Sequence, residues 1–334
     1  MAKRRVEGKE MQTMFKKKLG FLLGVMVLLS VAGYLICLLA GNKKQLNQDD
    51  RFLLVTSFYP MYVLAENLTD GMDGVEVSNL TENQTGCLHD YQLTSKDMKL
   101  LSGADVLLVN GAGMELFVEK ILENTKNVTV IEASHGIPLL EGSSHGHDHD
   151  HEESGEEENG HEEHSHEENG HVWMDVSRYR RQAATVTKEL QQQLPEQKET
   201  LEQAAAVYDE KLQKLEAQVE ELKTETEGLP VVIFHEAFAY FADSLGMEVL
   251  ATLSLDEETV PGAGEIATVI GEINYHGGAV LFVEPENARY AEKILAETEA
   301  VVVYLDPLTT GTGAPESYIT GMQKNLDAVS GICK

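Results

Sequence analysis

Basic residues are scarce in this chain of 334 residues: 26 Lys and Arg face 56 Asp and Glu, a net charge of −30. Such a polyanion repels phosphate and lacks the basic footprint of a nucleic-acid binder. Cysteine is scarcer still. Cys37, Cys87 and Cys333 are the only three and none forms a C-x-x-C pair, which excludes a disulfide-dense scaffold. Whether Cys87 and Cys333 pair is left open. Tryptophan occurs once, as Trp173. Two familiar motifs are incomplete. His235-Glu236 opens like a zinc-protease helix, but the position of the second histidine is Ala239. Gly262-x-Gly264-x-x-Ala267 is separated from the preceding strand by the acidic run Asp256-Glu257-Glu258, which suits no pyrophosphate. What remains, 42% hydrophobic and 25% charged, is the composition of a globular protein.

The few basic residues are concentrated at the start. Lys3, Arg4, Arg5 and Lys16, Lys17, Lys18 precede an uncharged run from Leu19 to Ala40. As a helix rising about 1.5 Å per residue, that run spans roughly 30 Å of hydrocarbon. The basic flank predicts a cytoplasmic segment 1–18, a transmembrane anchor or signal at 19–40, a linker at 41–50 and everything beyond outside. Retention, lipidation at Cys37 and removal after Ser30-Val31-Ala32 are the three fates open to it. The reading adopted is an extracytoplasmic protein anchored to the bacterial cell membrane by this segment.

Beyond residue 50 the chain alternates strand and helix signals. Phe52–Ser57, Val75–Leu80, Asp105–Asn110 and Val128–Glu132 read as strands, with helical stretches at Met61–Leu68, Ser95–Ser102 and Glu115–Glu123. Continuous apolar runs such as Val106-Leu107-Leu108-Val109 fit parallel strands covered on both faces. The alternation resumes at Val231–Phe234, Val249–Leu255, Val280–Val283 and Ala300–Leu305. Between these halves, residues 177–228 hold no glycine before Gly228 and one proline, and predict a long helix broken or kinked at Pro195. The expected fold is α/β: an N-terminal lobe over 51–176, a linking helix over 177–228 and a C-terminal lobe over 229–334. Each lobe has a central sheet, and a cleft lies between them.

Residues 141–171 carry eight histidines and twelve Asp or Glu, with no Lys or Arg. Nothing there can bury a core, so a disordered loop is expected over 141–170. Imidazole and carboxylate are ligands for zinc and its neighbours. His145, His147, His149, His151, His161, His164 and His166 therefore form an auxiliary, low-affinity metal tract.

Four further positions carry a sharper signal. His89 lies in a turn between strand and helix, and His171 closes the tract. His235 ends the strand Val231–Phe234, and Asp306 ends Val301–Leu305. Carboxyl ends of strands are where open α/β sheets bind ligands, although a lone histidine there usually satisfies a nearby carbonyl. The motifs around them occur in one order. They are His-Asp-Tyr-x-Leu-Thr at 89–94, His-Val-Trp-Met-Asp at 171–175, Phe-His-x-Ala-Phe-x-Tyr-Phe at 234–241, Phe-Val-Glu-Pro at 282–285 and Asp-Pro-Leu at 306–308. That order, with the histidine-rich insertion, resembles the zinc-type substrate-binding proteins of metal ABC transporters (the zinc- and manganese-uptake receptor family) over roughly residues 50–334.

The resemblance implies His89, His171 and His235 as imidazole ligands and Asp306 as the carboxylate at the fourth position, a set suited to tetrahedral Zn2+. Glu284 and Trp173 stand behind it. The manganese branch tends to place a carboxylate where His235 stands, so Mn2+ is the lesser alternative. The sequence departs from the family pattern at Asn169-Gly170, where Asp-Pro is frequent, and at Gly262-Ala263-Gly264. The implied function is a monomeric receptor, not an enzyme, that captures Zn2+ and delivers it to an ABC permease with its cytoplasmic ATPase. An extracellular zinc buffer or adhesin is the competing class. No Walker A sequence occurs here, so the transport energy would come from that partner.

Overall fold

The computed structural model describes residues 51–81, 88, 91–117, 121, 128–142, 168–253 and 261–333, all of which but Arg51 belong to the compact unit Phe52–Lys334. The N-terminal apolar run, Cys37, Cys87, His89 and the tract histidines 145–166 lie outside these residues. Among the described residues no helix is long and apolar enough to cross a membrane.

The first sheet contains β1 (Phe52–Thr56), β2 (Val75–Asn79), β3 (Val106–Val109) and β4 (Thr129–Glu132), all parallel in the order β2-β1-β3-β4. The four residues of β3 are buried, as its unbroken apolar run requires of a strand covered on both faces. α1 (Tyr59–Leu68) connects β1 to β2, with Pro60 within its first turn, where a missing N–H costs nothing. α2 (Ser95–Leu101) precedes β3 and begins in a capping box between Thr94 and Asp97.

Residues 141, 142 and 168–170, expected to be part of a disordered loop, are instead ordered. Glu141, Glu168 and Asn169 belong to a short antiparallel ladder, β5 (Leu140–Glu141) with β6 (Glu168–Asn169). Tyr240 holds this stem from the other half of the chain: its hydroxyl accepts the Leu140 N–H at 3.0 Å and donates to the Asn169 carbonyl at 2.7 Å.

Two helices form the linking segment, α3 (Val176–Gln193) and α4 (Lys198–Thr226). Pro195 starts a short 3-10 turn between them, where the chain reverses. Gln191 reaches Glu202 near the turn and Arg180 reaches Asp209 farther along, so the pair is antiparallel. α4 buries Leu201, Tyr208, Leu212, Leu215, Val219 and Leu222, a stripe at three- and four-residue spacings.

The second sheet holds β7 (Pro230–Ile233), β8 (Glu248–Thr252), β9 (Val280–Val283) and β10 (Val301–Tyr304), again parallel, in the order β10-β9-β7-β8. Read from its own first strand, that is the order of the first sheet. Both sheets therefore change direction between their first and third strands, the crevice where doubly wound sheets bind ligands. α5 (Ala237–Ser244) follows β7, while α6 (Ala263–His276) and α7 (Ala288–Leu295) flank β9. The last helix, α8 (Ser317–Ser330), leaves the second sheet and lies against α1 and α4. Tyr318 on α8 stacks on Tyr179 at 3.9 Å between ring centroids and donates to the Trp173 carbonyl at 2.7 Å. One continuous apolar core consequently runs from β1 and β3 through α3 and α4 to Val231, Ile233 and Phe238.

Candidate metal site

Parallel register carries three of the sequence candidates to one edge of the second sheet. Ile233 pairs with Phe282, and Val283 pairs with Tyr304. His235 and Glu284 therefore leave neighbouring strands at the same level, and Asp306 follows one residue beyond it. His235 is buried on leaving β7, and its Nδ1 accepts the Ala237 N–H at 3.0 Å. That bond occupies the Nδ1 lone pair and puts the hydrogen of the neutral ring on Nε2.

His171 arrives from the opposite direction, at the end of β6 and the start of the short turn Val172–Met174. It is only 2% exposed. Its ring lies 5.0 Å from that of His235, centroid to centroid, at 81°. Behind it stands fully buried Trp173, centroid 5.2 Å away, whose Nε1 donates to the Pro307 carbonyl at 2.9 Å. Asp175 ends the motif as the N-cap of α3, accepting the N–H groups of Ser177 and Arg178. The Arg178 guanidinium bridges Asp175 and Asp243 on α5, joining the two halves beside the histidine pair.

A first-lobe loop supports His171 from below. Gly111, Ala112 and Gly113 all have positive φ, and Asn110 Nδ2 donates to the Gly170 carbonyl at 2.9 Å. Gly170 is required there, because a Cβ on it would lie 2.9 Å from the Ala112 carbonyl oxygen. Buried Glu115 shapes the loop by accepting Ser57 Oγ–H at 2.7 Å, Asn110 N–H at 2.7 Å and Gly111 N–H at 3.0 Å. Burial pushes its pKa up to about 7, against those hydrogen bonds.

Asp306 is exposed at the rim. Buried Asn325 on α8 clamps its backbone, accepting the Asp306 N–H at 3.0 Å and donating to its carbonyl at 2.8 Å. Asp306 Oδ1 accepts the N–H of Leu308, a non-glycine residue at φ 55°. Glu284 is buried, and the Asn287 N–H donates to its carbonyl.

Of the candidates, then, the fold brings His171 and His235 together. Among the described residues no group of three or more His, Cys, Asp or Glu is placed to hold one ion. His89 and the tract histidines lie outside the described residues. Sequence reasoning missed Asn169, Asn325 and Glu115 as supports. Asn169 adjoins the His171 motif, but Glu115 and Asn325 adjoin none, and they meet Ser57 and Asp306 across 58 and 19 residues. Beside the pair is a cavity of about 530 Å³, whose lining includes Glu141, Asn169, Glu236 and Asp243.

Two sheets of one topology, with a buried imidazole pair where their halves meet, define a two-lobed ligand-binding protein. The chain belongs to the ZnuA family, the periplasmic component A of the zinc-uptake complex, whose profile matches residues 54–331. It is 30% identical over 314 residues to the zinc-binding lipoprotein AdcA of Streptococcus pneumoniae R6, covering 91% of this chain and 60% of that protein. With the high-affinity zinc uptake system protein ZnuA of Bacillus subtilis 168 it shares 27% identity, over 85% of this chain and 88% of that one. The Zn(II)-bound ZnuA-like domain of Streptococcus pneumoniae AdcA superimposes with a TM-score of 0.66 at 26% identity, covering 84% of this chain and 98% of that domain. The chain thus spans about 60% of the length of the streptococcal relatives.

Proposed function

We propose that this protein is an extracytoplasmic receptor that captures Zn2+ and delivers it to an ABC permease driven by a cytoplasmic ATPase. The N-terminal segment would hold it at the membrane, and the chain would act as a monomer. The observation that carries the reading is the buried His171–His235 pair, 5.0 Å apart at the sheet ends of a ZnuA-family fold. Two neutral nitrogen donors suit zinc, and a histidine at 235 favours it over manganese, which prefers oxygen. His89 supplies the third nitrogen in this reading. Asp306 completes the set from the rim, as a ligand or beside a bound water. The carboxylates of the neighbouring cavity and the tract beyond it raise the local concentration of cations. Ligation of His235 through Nε2 displaces the hydrogen there and weakens the Ala237 contact at Nδ1.

Competitive titration against a chelator of known affinity tests the assignment. His89→Ala, His171→Ala and His235→Ala in the full chain should each weaken the tight site at least a hundredfold. Asp306→Ala should weaken it less, because water can take its place. Unchanged affinity in His235→Ala would refute the site. Loss of nearly all binding on removal of the tract alone would favour the buffer or adhesin reading.

A further inference from the structure

We infer that Asn169 is a positioning residue that sets the ring tautomer of His171 and joins that ring to the His235 segment. The inference rests on the zinc-site reading above and extends it to a residue with no ligating role. Asn169 is 2% exposed, so its polar atoms must find protein partners. Its amide nitrogen Nδ2 donates to the Glu236 carbonyl at 3.0 Å, across 67 residues of sequence. Its Oδ1 accepts the His171 backbone N–H at 3.0 Å. These two contacts fix which end of the amide is oxygen, since the reverse orientation would set N–H against N–H and carbonyl against carbonyl.

The same Oδ1 lies 2.9 Å from His171 Nδ1. An amide oxygen only accepts, so the ring nitrogen facing it carries the hydrogen. In neutral His171 the lone pair is therefore on Nε2. This is the arrangement in which a ligating imidazole donates its other N–H to a fixed acceptor, and it spares the site a tautomer change when the ion arrives. His235 is set the opposite way, because Ala237 N–H occupies its Nδ1. The two rings thus differ in the metal-free protein: His171 presents a lone pair at Nε2, and His235 presents a hydrogen there.

Asn169 also fixes spacing. Its side chain binds Glu236, the residue after His235, while its main-chain carbonyl accepts Tyr240 Oη–H on the helix that follows. One buried side chain consequently ties the His171 turn to the His235 strand end. Removing it frees one ring to rotate and lets the two segments separate.

The test is 15N–1H correlation of the histidine rings in the metal-free full chain at about pH 8, above the free imidazole pKa near 6.5. His171 and His235 are assigned by their alanine variants. Wild-type His171 should show the Nδ1–H pattern and His235 the Nε2–H pattern. Asn169→Ala should shift His171 toward Nε2–H and weaken zinc binding about 10–100-fold by chelator competition. Asn169→Asp, which still accepts but cannot donate to Glu236, should restore the Nδ1–H pattern. An Nε2–H pattern for wild-type His171 would overturn the inference, and this measurement needs no variant that might fail to fold at Asn169. So would an Asn169→Ala protein with unchanged tautomer and unchanged affinity. The underlying site reading fails separately, if His171→Ala binds zinc as tightly as wild type.

Discussion

Single residues at this site act mostly through hydrogen bonds to backbone. Asn325 shows it for Asp306, whose N–H and carbonyl it holds with both ends of one amide. Asn325→Ala removes both of these part-buried hydrogen bonds, each worth about 0.5–1.5 kcal/mol net. Chemical denaturation of the zinc-free variant should show a loss close to the sum of the two, with a smaller effect on affinity than His171→Ala. Glu115 makes a pH prediction. Its pKa is raised from 4.5 to about 7 in the folded chain, so between these values the folded state holds a proton that the unfolded state has released. Stability then falls as pH rises through that window and stays lower above it, because the ionised carboxylate is the form that burial penalises. Glu115→Gln should remove this part of the decline. The check is denaturation of both proteins from about pH 5 to 8, an interval that spans the raised pKa. Parallel curves for the two would show that Glu115 stays ionised throughout.

Among the elements, the loop at residues 110–115 and the turn at 170–174 form one support. Gly170 sits against the Ala112 carbonyl, and the three positive-φ residues of the loop leave it little freedom to retreat. Gly170→Ala sets a methyl group against backbone, not a flexible side-chain tip. An overpacked site of this kind costs typically about 1–3 kcal/mol. The strain should be shared with His171, so zinc affinity should fall together with the melting temperature. A variant with wild-type stability and affinity would mean the loop moves away freely. Pro195 illustrates the contrasting case, an element boundary readable from one residue. Its ring cannot continue a helix and can begin one, and the chain turns from α3 into α4 there.

For the whole molecule, the continuous core and the return of α8 to α1 and α4 bind the two sheets into one body. The tract is inserted into that body at a hydrogen-bonded stem, Leu140–Glu141 with Glu168–Asn169. A deletion meant to test the tract must therefore stop short of the stem. Removing residues 143–167 should leave the tight site within a few-fold of wild type, because the ligands assigned to that site all lie outside the tract. Growth and zinc uptake in chelated medium should nonetheless slow. Extending the deletion through residue 169 should damage the tight site as well, since Asn169 is lost with it. Equal affinity in the two deletions would contradict the role given to the stem.

The amino-acid sequence alone determined the alternation of buried strands and amphipathic helices, the break at Pro195, the position of the histidine tract and the motifs that mark the family. Those features are local: strand runs, helix periodicity and proline geometry are written within a few residues of where they act. It also singled out His171 and His235. Their juxtaposition, the exposure of Asp306 at the rim and the supporting parts played by Asn169, Asn325, Glu115 and Gly170 were decided by the tertiary structure. The contacts responsible join residues far apart in the chain, Asn110 to Gly170 across 60 positions and Asn169 to Glu236 across 67. No periodicity records such pairs, because each side chain finds its partner only after both sheets have formed and packed.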